Sequence, residues 1–483
     1  MPTTPLAEML KSSCLLMSQT NCFQIRIALI LLLCATIRGL ASAEDDPPNA
    51  ASIKTQPHYF IAAGEILANN AIVNLFDRLT EGGGSWADVR PDSWMTTLAG
   101  PWHFDQDPWS TNEIQHPIEG ALYFTTGRSN GLGFWESAGG TAFGAFMWKL
   151  FGEVDDPNIN DLVTTTMGGV VLGEMVHRLY FEAERAGSPS RFFISPMDAA
   201  NYSLFGRNTR ADGYSGASRI SLSLEAGFVA PVVRPDLSSG TGQEGIPGSA
   251  GEFGESLTYG DPFGGSSAPF DYFEQRFSLQ LSPTFWGIAF FSTGTLITLP
   301  LIDTLQAKLF VASCLHYDFI YNSLIELEAN AVGISLLGEM ALSGGMRFSE
   351  ELHLDVIALG TSENTYLREL NGIQSLFEEG RDYDWGAGAG AKIHLGLSGH
   401  GLGALGLDCS VYEMQGIPGT TAAAAPFDWA VIDFICLRYE HGVAPRLSIG
   451  SAYSQYQKVA FYSSLSPVDD CIQSLCIYAK LAF

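Results

Sequence analysis

From about residue 190 onward, apolar and polar residues alternate with a period of two. Ile220, Leu222, Leu224, Ala226 and Phe228 alternate with Arg219, Ser221, Ser223, Glu225 and Gly227. Phe273, Phe277, Leu279 and Leu281 alternate with Glu274, Arg276, Ser278 and Gln280. Ala389, Ala391, Ile393, Leu395 and Leu397 alternate with Lys392, His394, Gly396 and Ser398. Successive residues of a strand point to opposite faces, so each run predicts a strand with one apolar and one polar face. Similar runs near 324–333, 351–358, 402–412 and 446–454 bring the expected total to roughly 12 strands, an even number as in bacterial membrane barrels. In the last run Leu475, Ile477, Ala479, Leu481 and Phe483 share one face. A terminal Phe closing such a strand resembles the recognition signal for outer-membrane barrel assembly.

Ahead of these runs the period is helical. Ile61, Ala68, Ile72, Leu75, Phe76 and Leu79 predict an amphipathic helix over 58–80. Residues 86–112, rich in Trp, Pro and Asp, read as an ordered loop. A helical stretch over 117–152, broken near Gly131 or Gly133, precedes another over 159–185. Asn158 or Asn160 caps the latter's start and Gly187-Ser188-Pro189 stops it. The pairs Gly140/Gly144 and Gly169/Gly173 let helix backbones approach closely. The expected fold is therefore an antiparallel transmembrane β-barrel preceded by three or so packed helices. Apolar-faced helices need partners, so they pack on each other or against the barrel wall, as a plug or a periplasmic cap.

Composition sharpens this. Only 16% of the 483 residues are charged, against roughly 25% in soluble domains. The net charge of -27 excludes nucleic acid as a partner, which needs a basic surface. Arg26, the apolar run Ile27 to Cys34, and Ala41-Ser42-Ala43 have the order of an export signal. The expected division is a signal peptide at 1–43, a linker at 44–57, a helical module at 58–188 and the barrel at 189–483, placed in the outer membrane of a Gram-negative-type bacterium. The polar stretches 234–269, 361–383 and around Ala422 to Ala425 read as long loops, extracellular in the usual orientation. No C-x-x-C pair occurs. Cys471 and Cys476 are compatible with a disulfide or with two free thiols.

One segment carries a dense motif: Asn112, His116-Pro117, Gly120, Tyr123, Arg128-Ser129-Asn130-Gly131, Trp135-Glu136-Ser137, Trp148, Glu153, Asn160-Asp161, Thr165, Gly168-Gly169, Gly173-Glu174 and Arg178. It resembles the uncharacterised bacterial outer-membrane family called domain of unknown function 3943. Pro269-Phe270-Asp271-Tyr272-Phe273, His316-Tyr317-Asp318 and Arg381-Asp382-Tyr383 are similar as well. The resemblance implies a helical stretch paired with a C-terminal barrel and implies no activity. Lys149 departs from it, standing where an acidic residue is expected.

Within the module, His116, Glu136, Glu153, Asp161, Glu174 and Arg178 concentrate charge among apolar neighbours. Glu174 and Arg178 are spaced to pair along one helix face. Two readings stand. One is a structural network that fixes helix packing. The other is a site in which His116 with Glu136, Glu153 or Asp161 does acid–base work or binds a lipid headgroup. The spacing matches no metal motif, so neither metal nor cofactor is expected. His316, His353, His394 and His400 lie in or near strands, and nothing in their spacing selects a catalytic pair. Arg219, Glu225, Arg276, Lys392 and His394 are expected to line a polar lumen. The leading expectation is a non-enzymatic barrel in envelope integrity, lipid handling or small-solute passage, with outer-membrane lipid and the barrel assembly machinery as partners. The alternatives are a lipid-modifying or lipid-hydrolysing enzyme with its site in the module, and a surface interaction protein using the acidic loops. Oligomeric state stays open.

Overall fold

A computed structural model describes residues 56–81, 86–205, 219–233, 249–265, 268–283, 286–322, 325–363, 383–418, 420, 427–463 and 465–483. The expected signal peptide, most of the linker, 234–248, most of 361–383 and Ala422 to Ala425 lie outside the described residues, as do Arg381 and Asp382 of the resemblance. The rest of the expected loop 234–269 is not all loop, because Ala250–Tyr259 forms a strand.

The helices are α1 (Tyr59–Glu81), α2 (Pro91–Ala99), α3 (His116–Ser129), α4 (Phe134–Phe151), α5 (Ile159–Arg185), α6 (Arg191–Ile194) and α7 (Pro196–Phe205), with a π-helical turn at Thr111–Gln115 leading into α3. The expected break between α3 and α4 falls at Gly131, whose φ of 84° suits glycine. Gly187, at φ 63°, follows the end of α5. Two expectations about the helices need correction. The stretch 86–112 contains α2, started by Pro91 at its first position with Asp92 in the first turn. The helical module runs on through α6 and α7, so the first strand begins at Ile220 rather than near 189.

Twelve antiparallel strands close a barrel, each paired with its sequence neighbours and β1 with β12. They are β1 (Ile220–Val233), β2 (Ala250–Tyr259), β3 (Phe273–Leu281), β4 (Trp286–Asp303), β5 (Ala307–Asn322), β6 (Glu326–Ala341), β7 (Met346–Glu363), β8 (Tyr383–Gly399), β9 (Gly403–Gly416), β10 (Phe427–Ala444), β11 (Leu447–Tyr462) and β12 (Leu465–Ala482). Closure leaves no sheet edge, which is what lets a sheet span lipid. The lower wall exposes Leu354, Val356, Ile334, Ile449 and Ile477. Their cross-strand partners keep the same parity around the barrel, so the exposed apolar residues form a belt. A polar inside and an apolar outside define a transmembrane barrel.

The helices neither plug the lumen nor cap it; they lie on the outside of the wall. One cavity is lined by residues of ten strands, among them Glu225, Glu252, Arg276, Asp318, Lys392 and Arg438, and only the barrel's interior reaches so many. The neighbours of these residues, one position along, point outward. Tyr317, Phe319 and Tyr321 alternate with the cavity residues Asp318, Ile320 and Asn322, and they pack on the module. Trp109 stacks on Tyr321 at 4.8 Å between centroids and meets Phe319 edge-on. Its Nε1 donates to Thr361 Oγ1 at 2.8 Å. Phe104 packs on Trp385, and Asn112 Nδ2 donates to the Tyr383 hydroxyl at 2.7 Å. One buried core thus joins α5 and its neighbours to outward residues of β1 to β5, β7 and β8. Each large aromatic fully buried there contributes roughly 1.5–3 kcal/mol.

Candidate functional site

Two polar clusters sit inside the module and a third lines the lumen. The first forms where α5 begins. Asp161, fully buried in its first turn, takes an ion pair from Lys149 of α4 and one from His116 Nε2 at 3.2 Å. Lys149 Nζ also donates to Glu153 at 2.7 Å. Asn158, at the N-cap position, does not use its side chain to cap the helix; it donates to Asp105 at 2.8 Å and to Asp161 at 3.2 Å. Asn160 Oδ1 accepts from the Asp105 backbone N–H at 3.1 Å. Lys149, the departure from the expected acidic residue, is therefore the cation that balances this cluster.

The charges set one another's protonation. Burial raises Asp161, but His116 and Lys149 beside it hold it well below the usual carboxylate range. Burial lowers His116, but Asp161, with Glu119, pushes it up to about 10. Burial likewise lowers Lys149, and Asp161 and Glu153 more than offset this. Burial pushes Glu153 up to about 7 despite Lys149. It pushes Asp105 up to about 6, helped by the charge of Asp161.

The second cluster ties the module to the wall. Arg128 Nε and Arg178 Nε each meet Glu174 at 2.9 Å. Arg178 also reaches Asp271 at 3.1 Å and the Pro269 carbonyl at 2.5 Å, in the β2–β3 connection. The helix crossing that sets this geometry is made by glycines. A Cβ on Gly169 would stand 2.5 Å from the Gly120 backbone, and one on Gly173 would stand 2.7 Å from Phe124. At the same interface Glu113 faces Glu328 of β6, and none of their carboxylate oxygens has a hydrogen-bond donor. Burial raises Glu113 well above the usual carboxylate range.

The motif thus divides. His116, Glu153, Asn160 and Asp161 come together; Arg128, Glu174 and Arg178 come together elsewhere. Pro117 packs against Gly168, where a Cβ would meet its ring at 2.8 Å. Ser137 is buried against Gly127. Glu136 belongs to neither cluster. It is the third residue of α4, where it accepts the Gly133 N–H at 2.8 Å and the Tyr59 hydroxyl at 2.5 Å. Of the three carboxylates considered with His116, the structure brings Asp161 to it and not Glu136, which is spent on the helix start. Trp135 is largely exposed.

Residues 101–196 match the family described as Domain of unknown function (DUF3943). The matched segment spans α3 to α6 and holds every residue of both module clusters except Asp271 and the Pro269 carbonyl. No curated protein matches the chain. Solved structures to which it is similar include the NanC porin (12% identity, 54% of this chain and 98% of that chain, TM-score 0.26). Others are the outer membrane channel DcaP of Acinetobacter baumannii (6%, 55% and 96%, TM-score 0.22) and the Pseudomonas putida toluene transporter TodX (8%, 55% and 89%, TM-score 0.23).

The lumen bears out Glu225, Arg276, Lys392 and His394 as lining residues. Arg219 does not join them; it lies exposed just ahead of β1. Arg276 pairs with Asp408 at 2.7 Å, His394 meets the same carboxylate at 2.7 Å, and Lys392 pairs with Asp318. Phe291 and Phe434 stack across from each other at 5.9 Å. The space left is about 240 Å³. Cys471 and Cys476 are free thiols. Five residues apart on β12, they face opposite sides of the wall and cannot bridge. The sequence reading missed that Cys314, His316 and His353 converge, with Asp355 beside His316. Their signal was spacing: Cys-x-His and His-x-Asp on strands put each pair on one face.

Proposed function

We propose that this is an outer-membrane barrel that passes small polar solutes or ions through a narrow, ion-pair-lined lumen, with the helical module bracing the wall from outside. The observation that carries the reading is where the module sits. Because it packs on outward residues, none of the described helices lies in the lumen, and side chains of the wall fill it. Arg276, Lys392, Arg438 and His394 interleaved with Glu225, Glu252, Asp318 and Asp408 form a lining that suits hydrated polar solutes. A cavity of about 240 Å³ favours small ones. Outer-membrane lipid as the surrounding solvent and the barrel assembly machinery as the partner that inserts it, reading the Phe483 strand, belong to the same proposal.

The test is conductance in planar bilayers with the purified, heat-modifiable protein. Native protein is expected to give small discrete steps. Arg276→Ala with Phe434→Ala is expected to raise the step at least about twofold, since both narrow the lumen. A folded barrel that never conducts, in native and double-variant form alike, would overturn the proposal.

For the enzyme alternative, the candidate carboxylate beside His116 is Asp161, while Glu136 serves the start of α4. The buried groups around Asp161 pair with one another, which favours a packing network over an open site.

A further inference from the structure

We infer that the barrel wall holds a transition-metal site of the zinc type, built by Cys314 and His316 of β5 and His353 and Asp355 of β7. One donor atom each from Cys314, His316 and His353 lies within 4.8 Å of the others, and all three residues are buried. Asp355 Oδ1 stands 3.0 Å from His316 Nε2. Cysteine thiolate, two imidazoles and a carboxylate are the donors that zinc takes in tetrahedral sites.

The strand register explains the convergence. Cys314 is opposite Gly333 of β6, and Gly333 is opposite Asp355. His353 is opposite Ser335, two positions further along β6. The middle strand therefore offers no side chain at the centre of the square. A Cβ on Gly333 would stand 1.9 Å from Asp355 Oδ1, so glycine is what lets the carboxylate lean inward.

The outer contacts orient both rings as metal ligands require. Ser335 Oγ lies 2.6 Å from His353 Nδ1 and donates to Cys314 Sγ at 3.1 Å. Thr293 Oγ1 lies 2.9 Å from His316 Nδ1. With each Nδ1 engaged by a hydroxyl, each Nε2 is left to point inward. Both Nε2 atoms, and both oxygens of Asp355, lack a hydrogen-bond partner of good geometry although buried. Lys392 Nζ also lies 3.1 Å from His316 Nδ1 and pairs with Asp318; with metal on Nε2, Nδ1 donates to Thr293 Oγ1 and Lys392 is left to Asp318.

Charge also balances. A thiolate and a carboxylate together cancel a divalent cation, so the filled site buries no net charge, and binding releases the thiol proton. Glu351, at 3.6 Å from His353 Nε2, is the nearest further carboxylate.

Cobalt(II) reports such a site directly, because a thiolate on cobalt gives a charge-transfer band. Full-length protein in detergent, stripped with chelator, is titrated with Co²⁺ and then with Zn²⁺. About one Co²⁺ per chain, a thiolate band and displacement by Zn²⁺ are expected. Cys314→Ser should abolish the band while heat-modifiable migration persists. His353→Gln should weaken binding at least about 10-fold. The titration of the native protein does not depend on whether the variants fold. A native protein without the band, or a band that survives Cys314→Ser in a folded barrel, would overturn the site.

Discussion

Asp161 shows how one buried carboxylate fixes the charge state of its surroundings. The sign of the module's pH dependence follows from the groups around it. Glu153 and Asp105 are raised by burial to about 7 and about 6, so the folded protein holds protons there that the unfolded chain releases. Their contribution is complete at low pH and is lost as pH rises through those values. The contribution of His116, raised to about 10, is complete below about pH 6.5 and is lost as pH rises to about 10. Asp161 is depressed, so it works in the opposite sense: its contribution is present above about pH 4 and lost below. The module should therefore be most stable between about pH 4 and pH 5 and lose several kcal/mol, on the order of 5, by about pH 8. Urea titrations followed by tryptophan fluorescence measure this, and Glu153→Gln should flatten the slope. A native protein more stable at pH 8 than at pH 5 would refute the assignment. Much of this cluster was legible: His116, Glu153, Asn160 and Asp161 were singled out as polar residues in apolar helices. Lys149 drew notice only as a departure, because a lysine one position after Trp148 gives no hint that folding brings it to Asp161. Glu136 misled for the converse reason, since a carboxylate at the third helical position is as often a cap as a catalyst.

Helix and strand identity was read well wherever periodicity was long. α1, α3, α4 and α5 lie where the 3.6-residue pattern put them, and the twelve strands match the expected count. The short helices were the failures. α2, α6 and α7 have 9, 4 and 10 residues, too few turns for a pattern to stand out against Trp, Pro and Ser. The glycine spacings were legible as close approach, but their partners were not. Gly169 meets Gly120 of α3, a residue in another helix. That contact predicts an inversion of the usual rule. Gly139 of α4 has open space where a Cβ would go, so Gly139→Ala should stabilise by up to about 1 kcal/mol through helix propensity. Gly169→Ala should instead destabilise by about 1–3 kcal/mol, because its methyl would push α3 and α5 apart. Denaturant midpoints of the two variants measure both signs. Equal shifts would mean that the crossing is looser than the backbone distance implies.

At the scale of the whole molecule, alternation alone announced a two-faced wall but could not say that a third body covers part of its apolar face. Outward residues such as Phe319, Tyr321 and Trp385 are as apolar as Leu354 or Ile477, and they differ only in what lies against them. The first three are buried under the module, while Leu354 and Ile477 are exposed. That difference is measurable. Spin labels introduced singly at Leu354 and Ile477 should be relaxed strongly by oxygen, which partitions into the bilayer. Labels at Phe319 and Trp385 should be shielded, and a label at the lumen residue Ser410 should respond instead to a water-soluble relaxant. If the module plugged the barrel, Phe319 would meet lipid like Leu354, and Ser410 would lose its access to water. A module clasped to the outside gives the reverse at both positions, and α1 adds to it. Tyr59–Leu79 is, among the described residues, the helix long and apolar enough to cross a membrane, with 22% of it buried. Phe60, Ile72 and Leu79 on it are exposed. A label at Ile72 that relaxes with oxygen like Leu354 would place the module's far side in lipid too. The bilayer would then enclose barrel and module as one apolar-surfaced body. A label there that relaxes only with the water-soluble agent would confine the lipid belt to the strands.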